Sequence, residues 1–263
     1  MAQRADSLWA GWVVQGRSIV ALMRRDLMMR YGRDNIGFVW VIVEPMLLTC
    51  GVMIIWSASG SSKNGINVVE FVLTGYMPLT LWRHLTGPVV NLFHNSWPLL
   101  YHRSVSLLDL IAARQAIELV ATSAALLVVA GILYIIGLIT GVAHWDLFLL
   151  GWLMMALIGT GFGALLAAVT EVTETVERFV QPFQYLNIPI SGAFFMVDWL
   201  PTWGQKAILY HPLAHCYEVF RAGYFGESVT THYDLPYFFV VAFIILFAGI
   251  LSVNAVKSRV RLS

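Results

Sequence analysis

The sequence predicts an all-α, polytopic membrane protein with six transmembrane helices, an N-terminal amphipathic interfacial helix and re-entrant helices before the last span. Three observations carry that expectation. The 263 residues are 59% hydrophobic and 12% charged, with a mean hydropathy of +0.73, a balance foreign to soluble domains. Apolar residues gather into runs of roughly 20, the length a helix needs to cross the hydrocarbon of a bilayer. Once those runs are placed across a membrane, the cations sort to one side.

The first element, Ser7–Arg33, is basic and amphipathic. As a helix over Ser7–Tyr31 it puts Trp9, Val13, Val20, Met23, Leu27 and Tyr31 on one narrow stripe, with Arg25, Asp26 and Arg30 turned away. Such a helix lies in the membrane interface rather than across it. It runs into six apolar spans: Gly37–Ala58, Val68–Leu92, Leu107–Ile136, Leu147–Thr170, Phe179–Val197 and Tyr237–Val256. The second is the least continuous, interrupted by Gly75, Pro78, Arg83, Gly87 and Pro88. The connection Phe93–Ser106 is short and polar and carries Trp97-Pro98. The connection Asp198–Pro236 is long yet apolar, with Trp199, Pro201, Trp203 and Tyr210-His-Pro212. Backbone of that composition dips back into the bilayer, where it must be buried in protein or face a water-filled cavity. A re-entrant helical hairpin is expected there.

A cytoplasmic N-terminus places Arg4, Arg17, Arg24, Arg25, Arg30, Arg33, Arg103, Lys257, Arg259 and Arg261 on the inner side. The outer connections then hold only Lys63, Lys206 and Arg221, as the positive-inside rule requires. Both termini inside demands an even number of spans. Trp40, Trp56, Trp145, Trp199 and Tyr237 sit near span ends as interfacial anchors. The organisation is therefore an interfacial segment over 1–36, a transmembrane domain over 37–256 with its two notable connections at 93–106 and 198–236, and a cytoplasmic tail over 257–263.

Several chemistries are excluded. There is no Gly-x-x-x-x-Gly-Lys-[Ser/Thr] phosphate loop and no nucleophile–histidine–acid arrangement, so the chain is not expected to hydrolyse nucleotide by itself. A net charge of +1 gives no footprint for nucleic acid. Two cysteines, Cys50 in an apolar span and Cys216 in a connection, make no disulfide framework. The N-terminus lacks the short apolar core of a cleavable signal peptide.

Four ionisable groups fall inside spans. Glu44 and Arg83 belong to the cytoplasmic half, where charges cost about 2.5–3.5 kcal/mol on insertion scales and usually pair or line a pathway. They either pair or share the mouth of an aqueous path; alternatively, Arg83 snorkels to the headgroups while Glu44 caps backbone freed by Pro45. Arg114 and Glu118, spaced i,i+4, are expected to satisfy each other. His211, His215 and Glu218 share one helical face with Pro212 as a first helical residue. Paired histidines can hold zinc, but His-Pro-Leu-Ala-His lacks the general-base glutamate of a metalloprotease helix, so no metal is expected. The stripe Ala156, Gly159, Gly163 and Ala167 permits close helix packing, within the chain first and at a dimer seam second. Gly159–Ala164 also matches a loose dinucleotide fingerprint, rejected because it follows no strand. Glu171, Glu174 and Glu177 complement the dipole at the start of the fifth span.

Read in order, several short motifs resemble the membrane subunit of bacterial polysaccharide-export ABC transporters, closest to the Gram-negative capsule exporters. They are LMRRDLMMRYG at 22–32, GFVWVIVEP at 37–45, LTGYMP at 73–78, LYHRSVSLLDLIAAR at 100–114, SGAFF at 191–195 with Leu200-Pro201, and HPLAHCYE at 211–218. The resemblance covers nearly the whole chain. It implies the interfacial helix, the six spans and the re-entrant helices. It also implies a homodimer paired with two copies of a cytoplasmic ATPase that holds the ATP and Mg, no cofactor on this chain, lipid-linked polysaccharide as cargo, and periplasmic and outer-membrane export proteins as further partners.

By the same resemblance the inner connection docks into the ATPase through Asn95, Trp97, Leu99, Leu100, Tyr101 and Arg103. A glycan channel would form at a two-fold seam, with Tyr76, Trp82, Phe183, Tyr185, Phe194 and Phe195 as candidates to stack on sugar rings, or else as packed or lipid-facing aromatics. Arg24, Arg25, Arg30 and Arg33 would gather an anionic lipid head, unless they only anchor the interface. An exporter of O-antigen, teichoic-type or other glycolipid shares this architecture. A different class, an intramembrane transferase using His84, His94 or His211, would be active alone, and a membrane scaffold would tolerate charge reversal at Arg83.

Overall fold

The computed structural model describes residues 8–31, 43, 46–47, 49–55, 65–96 and 105–260. Every regular element among them is helical. Residues 49–55 are helical; the rest of the expected first span, with Glu44, lies largely outside the described residues, as do Arg33, Trp97, Leu99, Leu100, Tyr101 and Arg103.

Helix α1 (Leu8–Tyr31) lies against α4 (Leu107–Ile135). Two polar ties seat it. Gln15 Nε2 donates to Asp109 Oδ1 at 2.9 Å, and Arg114 Nη1 donates to both carboxylate oxygens of Asp26 at 2.6 and 2.7 Å. Leu22 is buried, and Ile19 and Met23 pack beside it. Met23, expected on the membrane stripe, therefore faces protein, while Trp12, Val14, Val20 and Met28 stay exposed. Asp109 serves twice: its other oxygen accepts from the Ser106 amide in a capping box that starts α4.

Helix α2 (Val68–Thr86) is almost wholly buried and contains Pro78. Its N-cap Asn67 accepts from the Val69 amide at 2.9 Å. The helix stops six residues short of the expected Leu92, at Gly87-Pro88, where Pro88 has no amide to continue the ladder. Asn91 then turns the chain at φ 55° into the short α3 (Leu92–Asn95), rooted by the fully buried Phe93.

Helix α5 (Trp145–Val172) is the central post. A Cβ at Gly151 would crowd the Phe220 backbone, one at Gly223 would collide with the Phe148 amide, and one at Gly161 would meet Leu246 at 2.9 Å. Gly159 and Gly163 of the small-residue stripe face Leu85 of α2, so this stripe is used within the chain. Glycine thus lets α5 meet three helices at backbone distance. After Thr173 the chain enters α6 (Glu174–Ile190), which holds Pro182 and Pro189. It begins and ends earlier than the expected fifth span. Glu171 lies in the last turn of α5, where an acid opposes the dipole instead of complementing it.

Beyond α6 come a tight turn through Gly192 at φ 94°, a 3-10 turn Val197–Trp199, α7 (Thr202–Ile208) and α8 (Pro212–Phe225). A second 3-10 turn, Gly226–Ser228, precedes α9 (Leu235–Val260). Three described helices are long and apolar enough to cross a membrane: Leu107–Ile135, Trp145–Val172 and Leu235–Lys257. Their outward residues, including Val120, Leu127 and Ile135 on α4, Leu149 and Leu153 on α5, and Phe243 and Phe247 on α9, are apolar and exposed. That exterior suits hydrocarbon, and the chain is a polytopic, all-helical membrane protein.

Candidate functional site

Two groups of polar side chains stand out, one where α2 meets α6 and one beneath α8. At the first, the Arg83 guanidinium sits 5.3 Å from the centre of the Tyr185 ring. Tyr76 stands two turns earlier on α2. Positions 76 and 83 fall on one face because seven residues complete almost two turns. Tyr185 is 56% exposed, and Tyr76 and Arg83 are half-buried, so the face is open to a ligand. A buried hydrogen bond holds the two helices beside it, with Gln184 Nε2 donating to Thr86 Oγ1 at 2.8 Å. A cation on an aromatic face can take an anion from its free side, and the two tyrosines offer flat faces and hydroxyls to a sugar.

Over residues 183–190 of α6 the polarity is turned inside out, whereas Glu177, Arg178 and Gln181 nearer its start are exposed. Val180, Gln184 and Asn187 are buried, whereas Phe179, Phe183, Leu186 and Ile190 face outward. Phe183 stacks on Phe162 with ring centres 5.6 Å apart. Trp82, another aromatic expected near a path, is buried against Phe162 at 5.2 Å. Phe194 and Phe195 are half-buried in the turn after α6. Whether Glu44 meets Arg83 concerns a residue outside those described.

The second group lines α8 at intervals of three. His215 Nε2–H donates to the Leu209 carbonyl at 2.8 Å, and its Nδ1 accepts from the Asp234 amide at 3.0 Å. Both nitrogens are thereby committed in the neutral ring, and burial lowers the proton affinity of His215 and of His211, which lie in the connection between spans. His211 Nε2 bonds Asn187 Oδ1 at 2.9 Å. Glu218, nearly inaccessible, accepts from the Val197 and His232 amides at 3.1 and 2.8 Å. These bonds give the histidines and the glutamate structural employment. Among the described residues no group of three or more His, Cys, Asp or Glu could hold a metal.

Arg221 completes the row, and sequence reasoning left it as an ordinary outer-side cation. It is fully buried. Its guanidinium donates to the carbonyls of Gly192, Ala193 and Phe195 at 2.8, 2.7 and 2.6 Å and rests 4.6 Å from the Phe71 ring centre. Its spacing i+3 from Glu218 was the signal that it lies beside that carboxylate on the helix surface.

The remaining expected residues divide. Arg24 is exposed and Arg25 half-buried on α1, while the side chain of Arg30 lies outside those described. Asn95 is exposed at the end of α3. Arg114 and Glu118 approach at only 4.0 Å; the tighter partners are Asp26 for Arg114 and His84, whose Nδ1 lies 2.9 Å from Glu118 Oε2. The i,i+4 pair is thus present but loose, and the tighter contacts are those between helices, made possible once α1 and α2 flank α4.

Residues 17–225 match the model of a protein family described as ABC-2 type transporter. Over 246 residues, 93% of this chain and 92% of the relative, the sequence is 36% identical to the capsule polysaccharide export inner-membrane protein CtrC of Neisseria meningitidis serogroup B. It is 34% identical over 92% of its length to a BexB of Haemophilus influenzae with the same description, covering 91% of that protein. It is 24% identical over 89% to the polysialic acid transport protein KpsM of Escherichia coli, covering 93% of it.

Proposed function

The chain belongs to the ABC-2 type transporter family, and on that premise we propose that it is the transmembrane subunit of an ABC exporter that carries lipid-linked capsular polysaccharide outward across the inner membrane. The observation that carries this reading is the end-to-end likeness to capsule-export inner-membrane proteins, at 34–37% identity over about nine-tenths of the chain. ATP, with Mg, is hydrolysed on a separate cytoplasmic subunit, and this chain contributes the path.

In this reading the chain spans the membrane six times with both termini in the cytoplasm, and two copies face two ATPase subunits. The shorter α2 and α6 join the three long helices, the expected first span over Gly37–Ala58 is the sixth, and α7 and α8 are the re-entrant hairpin. The connection after α3 docks into the ATPase through Asn95, Trp97, Leu99, Leu100, Tyr101 and Arg103. Arg24, Arg25, Arg30 and Arg33 gather the anionic lipid head at the inner surface. Arg83, presented beside Tyr76 and Tyr185, meets the acidic part of the cargo, while Phe183, Phe194 and Phe195 offer apolar faces along the route. Trp82, buried in the single chain, supports Phe162 behind that face. Periplasmic and outer-membrane export proteins receive the product.

Purification of the tagged chain from its native membranes in mild detergent tests the class. A stoichiometric ATPase partner is expected to co-purify, and Arg83→Ala is expected to cut surface polysaccharide at least about ten-fold, as loss of a desolvated anion contact of roughly 1.4 kcal/mol or more would. A chain that purifies alone and shows no dependence on an ATPase would overturn the proposal.

A further inference from the structure

A continuous polar chain links three helices at the α1 end of the molecule. Asp26 on α1 grips Arg114 on α4 at 2.6–2.7 Å. Arg114 stands one turn from Glu118, and Glu118 accepts from His84 on α2 at 2.9 Å. The side chains are sheltered, with Glu118 at 2%, Arg114 at 15%, His84 at 22% and Asp26 at 29% exposure, so their attraction is little screened.

His84 is followed backwards by Arg83, the cation laid over Tyr185 of α6. Neighbouring helical positions point about 100° apart. A bond that pins His84 toward α4 therefore also fixes Arg83 toward α6. The need for such a pin has a cause within α2. Pro78 lacks the amide that would bond the Thr74 carbonyl, which weakens the mechanical link between the two halves of the helix. Residues 79–86 must take their azimuth from core packing and from polar ties of their own to neighbouring helices; the described ties include His84–Glu118 and the bond from Gln115 Nε2 to the Leu85 carbonyl at 3.3 Å, both to α4, and Thr86–Gln184 to α6.

We propose that Asp26, Arg114, Glu118 and His84 are positioning residues, a relay through which the seat of the interfacial helix on α4 sets the rotation of α2 and so the presentation of Arg83. The relay ties the surface that first meets an amphiphilic anion to the cation proposed to receive it. Its consequence for transport rests on the reading of Arg83 as a cargo contact; its mechanical part does not.

The test uses the full chain with its ATPase in lipid nanodiscs and the arginine-specific reagent phenylglyoxal, with modification at each arginine followed by mass spectrometry. In His84→Ala and in Asp26→Ala, Arg83 is expected to react at least about five-fold faster, because it leaves the Tyr185 face, while Arg24 reacts at its native rate. His84→Gln, which still donates to Glu118, is expected to return Arg83 to within about two-fold of native. Asp26→Asn, which keeps the shape and removes the charge, repeats the α1 arm should the alanine variant fail to fold. An unchanged Arg83 rate in the folded Asp26 and His84 variants overturns the relay, and a response to His84 alone overturns the part of it that begins at α1. If the rates move as expected while Arg83→Ala leaves surface polysaccharide intact, the relay stands and the cargo role of Arg83 falls.

Discussion

Arg221 shows how much one side chain can organise when it is fully buried. Three carbonyls of the turn after α6 point at its guanidinium, and the same turn presses on α2 where a Cβ at Gly75 would collide with the Ala193 oxygen. The planar fork reaches several acceptors at once, which an ammonium on a flexible stem does not. Arg221→Lys should leave at least one carbonyl buried and unpaired, costing about 1–3 kcal/mol. The measurement is the melting temperature of the detergent-solubilised chain, and an unchanged value would mean that the carbonyls find other donors. At this scale the sequence marked the chemistry but not the partners. The face of His211, His215 and Glu218 was legible from spacing; that Glu218 holds the Val197 and His232 amides was not, since those residues lie 21 and 14 positions away. The same holds for Arg114, whose nearest candidate in sequence was Glu118 and whose tight partner is 88 positions distant. An i,i+4 pairing rule sees one helix only.

Among the helices, α6 is the one whose pattern cannot be understood in isolation. Its polar residues Gln184 and Asn187 are buried and its aromatic residues exposed, the reverse of a helix in water and the arrangement expected where the outside is apolar. The inward polar groups are each paired, Gln184 with Thr86 and Asn187 with His211. With two prolines in 17 residues, α6 relies on those ties. Gln184→Ala should weaken its hold on α2 by about 1 kcal/mol, the net worth of one such bond, and speed amide exchange over residues 176–190 about five-fold. Exchange at the native rate would show that packing alone seats the helix. Helix α5 makes the complementary case. Its glycines were visible in the sequence as a small-residue stripe, and their use at close contacts followed from geometry. Which neighbour each one meets, Leu85, Phe220 or Leu246, depends on where the other helices lie.

For the molecule as a whole, the connection after α3, proposed above to dock the ATPase, is where mechanical work would enter. Its stem is rigid: Phe93 is fully buried and Asn91 turns the chain at φ 55°. Substitution of Trp97 and Tyr101 by charged residues should therefore abolish capture of the ATPase by the tagged chain while leaving its melting temperature unchanged. Normal assembly in that variant would remove the proposed docking role. The sequence by itself determined that this is a polytopic helical membrane protein of the ABC-2 transporter family, because hydropathy and the order of short motifs are properties of the chain read along its length. It also determined that charges within spans need partners. Only the tertiary structure decided who those partners are: Asp26 for Arg114, Glu118 for His84, Tyr185 for Arg83, and three carbonyls for Arg221. The physical reason is that a charge or a polar group in an apolar surround must be satisfied by whatever packing brings within about 3 Å, and packing joins helices that the sequence keeps far apart.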